Sequence, residues 1–114
     1  MPFIPRLVFV TASSLEEARK LTQGILEKHL AACVNILPAV ESHYRWKGKI
    51  EKSSEVMLVI KSSAEQFEAL AGFVRKHHSY ECPEIVALAP HKISPAYRSW
   101  WDEAMMEPDD GSAE

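Results

Sequence analysis

Apolar residues along the chain follow two kinds of pattern that alternate with each other. Short runs rich in β-branched and aromatic residues, such as Leu7–Val10, predict buried strands. Between these runs, apolar residues recur every three or four positions, as from Leu15 to Leu26, which predicts amphipathic helices. The predicted order is β-α-β-β-α-β followed by a third helix. The predicted strands are Leu7–Val10, Cys33–Trp46, Lys49–Ile60 and Pro83–Ala89. The predicted helices begin at Ser14, Ser63 and Ser94. The first helix is expected to end near His29 and the second near His77–His78.

Small and polar residues mark the boundaries of these elements. Ser14–Glu17 and Ser63–Gln66 each fit a capping box, in which two side chains satisfy backbone N–H groups at the start of a helix. Pro95 suits the first position of the third helix. Thr11–Ser13 is expected to form the turn after the first strand. Gly24 lies inside the first helix at a cost of roughly 1 kcal/mol relative to alanine, which indicates close packing there.

The order of the elements predicts a ferredoxin-like α+β sandwich. Two split βαβ units build one antiparallel sheet with two helices on one face. With 114 residues, of which 46% are hydrophobic, the chain is long enough for one core. We therefore expect one domain over residues 1–106 and an acidic, disordered tail over residues 107–114. The charged residues of the tail are all acidic: Glu107, Asp109, Asp110 and Glu114.

The two central strands form a hairpin that is longer than the layer available to cover it. Its first arm of 14 residues spans roughly 46 Å at strand rise, whereas the first helix spans only about 22 Å. The overhang carries Tyr44, Trp46 and Ile50, which are costly to leave in water, and a free strand edge invites pairing. We expect these residues, with Trp100, to contact neighbouring subunits of an oligomer. A hairpin curled back by a bulge at Pro38 is the alternative.

Charge and cysteine content limit the partners and the compartment. Without the tail, 13 basic residues face 12 acidic ones, so the body lacks the clustered positive charge that nucleic-acid binding needs. Two cysteines are too few for a disulfide framework and fit a reducing compartment; Cys33 is expected in the core. No signal-peptide pattern and no membrane-length apolar run is visible. We predict a cytoplasmic protein with no nucleic-acid partner and no membrane insertion.

Six segments carry distinctive motifs in a fixed order: Val10–Ala12, Leu30–Ile36, Tyr44–Glu51, Glu55–Lys61, His77–Ile85 and Tyr97–Trp100. Together they cover about residues 6 to 101, and they resemble the CutA divalent-cation-tolerance family. The resemblance implies a ferredoxin-like homotrimer whose long hairpins pair across subunits, in agreement with the overhang. It also implies a role in tolerance to divalent metals, copper above all.

Imidazole and thiolate groups are concentrated after the second predicted helix. His77, His78 and Cys82 offer the ligand types that copper and zinc prefer. The resemblance maps the family's histidine pair onto His77 and His78, whereas its strand-1 cysteine ligand is replaced by Val10, which has no lone pair. Copper or another divalent cation is thus the expected cofactor, at a weak site. In the alternative reading, His77 merely ends the helix, because adjacent helical residues point about 100° apart.

Polar residues before the last strand are candidates to line a cleft between subunits. We assign this role to Tyr80, Glu81 and Glu84, with Lys61; the alternative is a charged rim with local hydrogen bonds. No third orienting group or oxyanion element accompanies Cys82, so the sequence predicts no enzyme. Three functions remain open: a metal-binding trimer, a trimer that binds a small effector between subunits like the PII signalling proteins, and an adaptor or anchoring trimer.

Overall fold

The computed structural model describes residues 3–107 as four strands and three helices in the predicted order. The strands are β1 (Pro5–Ala12), β2 (Cys33–Trp46), β3 (Lys49–Ser63) and β4 (Ile85–Leu88). The helices are α1 (Leu15–Glu27), α2 (Phe67–His77) and α3 (Pro95–Met105). From residue 108 onward, the predicted acidic tail lies outside the described residues.

The strands form one antiparallel sheet in the order β2-β3-β1-β4. Side chains alternate between the two faces of a strand, and the residues on one face are buried beneath α1 and α2. The predicted ferredoxin-like α+β sandwich is therefore confirmed as the fold class. The core is apolar and consists mainly of Val8, Val10, Leu58 and Ile60 from the sheet and Ala18, Leu21, Ile25, Leu70 and Val74 from the helices.

A glycine allows α1 and α2 to approach each other closely. A Cβ atom placed on Gly24 would lie only 2.4 Å from the Cζ atom of Phe73, so a larger residue would displace that ring. The close packing predicted at this position is confirmed. This contact joins the last turn of α1 to α2, and the beginning of α1 lies beside the end of α2 at the candidate site.

The opposite face of the sheet is only partly covered. Leu37, Val86 and Leu88 are large apolar residues that remain exposed there. Cys33 is half-buried rather than in the core, because it begins the edge strand β2 and alternates with Val34, whose side chain packs against the core. This face therefore carries apolar surface that the described residues leave uncovered.

Two adjacent tryptophans divide between the inside and the outside of α3. Trp101 is buried, and its indole N–H donates a hydrogen bond of 3.0 Å to the backbone carbonyl of Ser62. Trp100 remains exposed, as a helix requires of a neighbour about 100° away. The inward position expected for one of the pair is confirmed. Contact of Trp100 with another subunit stays a prediction.

The outer part of the hairpin has no neighbour in the sheet. β3 pairs with β1 only from Val56 to Ser63, so from Glu55 outward its sole strand partner among residues 3–107 is β2. We call residues 40–55 the ribbon. The predicted bulge shifts the register between Leu37 and Val40, and Ala39 has a φ of 61°. The ribbon stays extended, and its tight turn is residues 47–48, both with positive φ.

Several predicted boundaries differ from the observed ones. Thr11 and Ala12 continue β1 rather than forming a turn, because they pair with β3. α1 ends at Glu27, two residues before the predicted end. A turn over residues 64–66 separates Ser63 from α2, so its hydroxyl accepts from Gln66 N–H within that turn. β4 has four residues rather than the predicted seven, and all four pair with Leu7–Val10 of β1.

Candidate functional site

The end of α2 sends two neighbouring histidines to different environments. His77 is the last helical residue; it is exposed, and its ring lies 4.4 Å from that of Phe73. His78 leaves the helix with φ −84° and ψ 145°, and its side chain is completely buried. Successive residues of extended backbone point in opposite directions. The change of backbone at the helix end therefore separates the two imidazoles.

Both ring nitrogens of His78 have hydrogen-bond partners. Nδ1 accepts from the backbone N–H of Tyr80 at 3.0 Å, and Nε2 lies 2.7 Å from the backbone carbonyl of Thr11. Because Nδ1 accepts, Nε2 must carry the hydrogen and donate it to Thr11. A metal ion at His78 would have to displace one of these two bonds. In this arrangement His78 anchors the segment 78–84, which we call the α2–β4 loop.

A glutamate that sequence reasoning assigned only to helix capping also fixes this loop. One oxygen of Glu17, Oε2, accepts from Ser79 N–H at 2.7 Å, while Oε1 accepts from both the N–H and the hydroxyl of Ser13 at 2.9 Å. Burial alone would raise the pKa of Glu17, but these hydrogen bonds outweigh it and lower the pKa to about 2. The carboxylate also lies 3.8 Å from Nδ1 of His78. Glu17 is therefore an ionised clamp between α1 and the loop.

The phenol of Tyr80 extends from the loop to the base of the ribbon. Its hydroxyl donates to Oε2 of Glu55 at 2.8 Å. Burial raises the pKa of Tyr80 to about 12, with further contributions from the Glu55 hydrogen bond and charge. The phenol is thus a persistent donor at neutral pH. Sequence reasoning placed Tyr80 at a cleft and did not find Glu55 as its partner.

The remaining cleft candidates are not all close together in one chain. Glu81 and Glu84 lie on the loop with exposed side chains. Lys61 lies on β3 roughly 20 Å, at strand rise, beyond the position that Tyr80 contacts. Its ammonium group donates to the side-chain oxygen of Asn35 instead. A cleft containing all four predicted residues would need more than one chain.

The metal-ligand candidates do not complete a site in one chain. His77 and Cys82 are exposed, whereas His78 is buried and hydrogen bonded. Among residues 3–107, no group of three His, Cys, Asp or Glu side chains is arranged to hold a metal ion. Val10, at the position of the family's cysteine ligand, is fully buried in the apolar core. The part of one chain that the structure describes therefore supplies an incomplete set of donors.

The residues predicted to contact other subunits are all exposed. Tyr44, Trp46 and Ile50 lie on the ribbon, where Trp46 exposes 55% and Ile50 74% of its surface. Trp100 is exposed on α3. Large apolar side chains at such exposure are typical of interaction surfaces when they are grouped.

A surface depression of about 420 Å³ lies on the helical side of the loop, between the start of α1 and the end of α2. Glu17, Lys20, Phe73, Lys76 and His77 contribute to its walls. The depression includes neither Cys82 nor the ribbon, so it is separate from the surface on which the exposed thiol lies. Within residues 3–107, no helix has the length and apolar character needed to cross a membrane.

The sequence of the chain matches one protein-family model and curated relatives with closely similar names. A family model described as "CutA1 divalent ion tolerance protein" matches residues 6–104. Protein CutA from Mus musculus is 44% identical over 92 residues, which are 81% of this chain and 52% of the mouse protein. Protein CutA, chloroplastic, from Arabidopsis thaliana is 40% identical over 94 residues, covering 82% of this chain and 52% of that protein. The chain spans about half the length of these two curated relatives.

A solved structure agrees with the fold. The structure described as the periplasmic divalent cation tolerance protein CutA from Archaeoglobus fulgidus superposes with a TM-score of 0.85 at 37% identity. The match covers 90% of this chain and 99% of the archaeal one. The long hairpin and the three helices thus belong to a shared architecture.

Proposed function

Because the chain belongs to the CutA1 divalent ion tolerance family, we propose that it binds a divalent cation, copper in particular, as a homotrimer. The observation that carries this proposal is the position of two exposed donors, His77 at the end of α2 and Cys82 within the α2–β4 loop, which is tied to an uncovered apolar ribbon. The described residues of one chain supply too few ligands and leave large apolar side chains exposed. Further copies of the chain would complete both.

The exposed apolar residues support the trimer. Complete burial of a side chain such as Ile50 contributes about 1.5–3 kcal/mol, so covering several of them favours association. The edge strands β2 and β4 also have free backbone groups that another chain can pair with. Another copy of the chain is a suitable partner because its own ribbon carries the same exposed apolar residues and an edge strand that can pair.

Sedimentation equilibrium tests the trimer. We expect wild type at three times the mass of the chain, and Ile50→Asp to be largely dissociated at the same concentration. Gln23→Glu, which adds one negative charge at an exposed position of α1 outside the ribbon, is the control and should remain assembled. A wild-type monomer that is independent of concentration would exclude the trimer.

The chemistry of the donors supports binding of copper or zinc. Imidazole and thiolate are the ligands that these ions prefer, and both His77 and Cys82 are accessible to solvent. We propose His77 and Cys82 as ligands. His78 becomes a third ligand only if one of its ring nitrogens gives up its hydrogen bond to Thr11 or Tyr80 and binds the metal ion. Otherwise His78 holds the loop in place. Donors from a second subunit complete the coordination.

Titration calorimetry tests the metal site, with Cu(II) and in parallel with Zn(II), which does not oxidise thiols. We expect His77→Ala and Cys82→Ser each to weaken binding by at least about tenfold, because loss of even an outer-shell partner of a metal ligand costs about 10–100-fold in affinity. His91→Ala is the control, because His91 is exposed and lies outside the loop. Unchanged affinity in both loop variants would rule these residues out as ligands.

We also propose a non-enzymatic role in a reducing compartment such as the cytoplasm. His78 has no ring nitrogen free to activate Cys82, which supports the first point. Two free thiols, one of them exposed, support the second. Cell fractionation tests the compartment, since one relative is described as chloroplastic and another as periplasmic.

A further inference from the structure

In the described part of the chain, one side-chain hydrogen bond joins the ribbon to the residues outside it. Among residues 3–107, its other polar side-chain contacts stay within the ribbon: Tyr44 with Ser53 at 3.1 Å, and Glu41 with both His43 and Lys52. Only the bond from Tyr80 to Glu55 leaves it. The connection is placed where the ribbon begins.

Glu55 occupies the boundary between sheet and ribbon. Val56 still pairs with Ala12 of β1, whereas Glu55 pairs only with Val40, the first β2 residue after the bulge. The chain can bend at this boundary more easily than within the four-stranded sheet, because the bulge interrupts the ladder there. A contact at Glu55 therefore acts on the angle of the whole ribbon.

The other end of this hydrogen bond has a rigid base. The backbone N–H of Tyr80 donates to His78, which is itself bonded to β1, and Ser79 next to it donates to Glu17 of α1. The rings of His78 and Tyr80 also pack at 4.8 Å. The phenol is thus held by both the sheet and a helix.

A small change at this contact has a large effect at the tip. The ribbon extends roughly 20 Å from Glu55 to Lys49, six residues further out, at strand rise. A rotation of 10° at the base would move the tip of this arm by about 3.5 Å. That displacement is comparable to a side-chain contact distance, so it decides whether Trp46 and Ile50 meet a partner.

We propose that the Tyr80–Glu55 hydrogen bond positions the ribbon and couples the α2–β4 loop to the surface through which subunits associate. A divalent cation bound at Cys82, beside Tyr80, acts through this bond and makes the ribbon more ordered. The regulatory part of this inference rests on the proposed metal-binding trimer. The mechanical part is independent of it, since both ends of the bond lie in one chain.

Hydrogen exchange measured by mass spectrometry on the whole chain tests the coupling reciprocally. Tyr80→Phe changes only the loop, and we expect amides of residues 40–55 to exchange about fivefold faster, the effect of one lost hydrogen bond. Glu55→Ala changes only the ribbon, and we expect faster exchange in residues 78–84. Glu55→Gln keeps an acceptor oxygen and should remain within twofold of wild type. Ser53→Ala removes a bond inside the ribbon and should leave the loop unchanged.

The outcomes separate this inference from the proposed function. Unchanged ribbon exchange in Tyr80→Phe, or loop exchange in Ser53→Ala as fast as in Glu55→Ala, would overturn the coupling whatever the oligomeric state. Zinc should slow ribbon exchange in wild type and not in Tyr80→Phe. Zinc that binds by calorimetry without affecting the wild-type ribbon overturns the regulatory part. Absence of zinc binding overturns the proposed metal site, and the reciprocal exchange then decides the coupling alone.

Discussion

Neutralising Glu17 should remove a stabilising contribution that depends on pH. The folded chain lowers the pKa of this carboxyl from an ordinary 4.5 to about 2, through hydrogen bonds from Ser13 and Ser79 that overcome the effect of burial. If the whole pKa change is converted into unfolding free energy, it gives about 3 kcal/mol. Because the carboxylate keeps some exposure to solvent, we halve this figure and expect about 1.5 kcal/mol.

The sign follows from the lowered pKa. Between pH 4.5 and pH 2, the unfolded chain binds a proton at Glu17 that the folded chain does not bind. The contribution is therefore fully present above about pH 4.5 and is lost as the pH falls towards 2. Glu17→Gln lacks this titration, and its amide cannot replace the bond from Ser79 as a carboxylate oxygen does.

Denaturant unfolding at fixed chain concentration measures the effect, because association would otherwise change the apparent stability. We expect Glu17→Gln to be less stable than wild type by about 1.5 kcal/mol at pH 7 and nearly equal to it at pH 2.5. Glu16→Gln is the matched control: it is the adjacent, exposed carboxylate of the same helical turn and should show a small difference at both pH values. An equal deficit of Glu17→Gln at pH 7 and pH 2.5 would refute the reasoning.

Two further predictions concern helix packing and the loop phenol. Gly24→Ala should lose about 1–2 kcal/mol of unfolding free energy because its Cβ atom would displace Phe73. Gly72→Ala, whose Cβ atom would meet no side-chain atom closer than 3.8 Å apart from its chain neighbours, should gain up to about 1 kcal/mol. Thermal unfolding of both variants checks this, and two changes of the same sign would contradict it. Ultraviolet titration should show one tyrosine ionising near pH 12. That step should be missing in Tyr80→Phe and should move towards pH 10 in Glu55→Gln; titration identical to wild type in both variants would disprove the assignment.

Much of the fold could be predicted because its determinants are local. Alternating and helical patterns place the elements, and the length of the hairpin relative to α1 predicts an overhang from strand and helix geometry alone. The boundaries that differ depend on distant partners. β1 extends through Ala12 because β3 pairs with it there, and β4 stops at Leu88 because its pairing with β1 covers four residues.

The candidate site was less predictable for a related reason. The types of donor could be read from the sequence, but the environment of His78 depends on Thr11, 67 residues away, and on the backbone angle where α2 ends. Glu17 has a visible local role beside Ser13, and its partner Ser79 is 62 residues distant. Residues that support a loop from other elements leave no local pattern.

Buried His78 and the ionised Glu17 beside it have a consequence for how a metal site can form. A metal ion that recruited His78 would break a bond to Tyr80 or Thr11 and would loosen the loop that positions Tyr80 against Glu55. An ion that used exposed donors alone would leave those contacts intact. The second route costs less because it keeps every buried polar group satisfied. It also requires donors beyond those that residues 3–107 of one chain bring together, and if a second subunit supplies them, metal binding and subunit association favour each other.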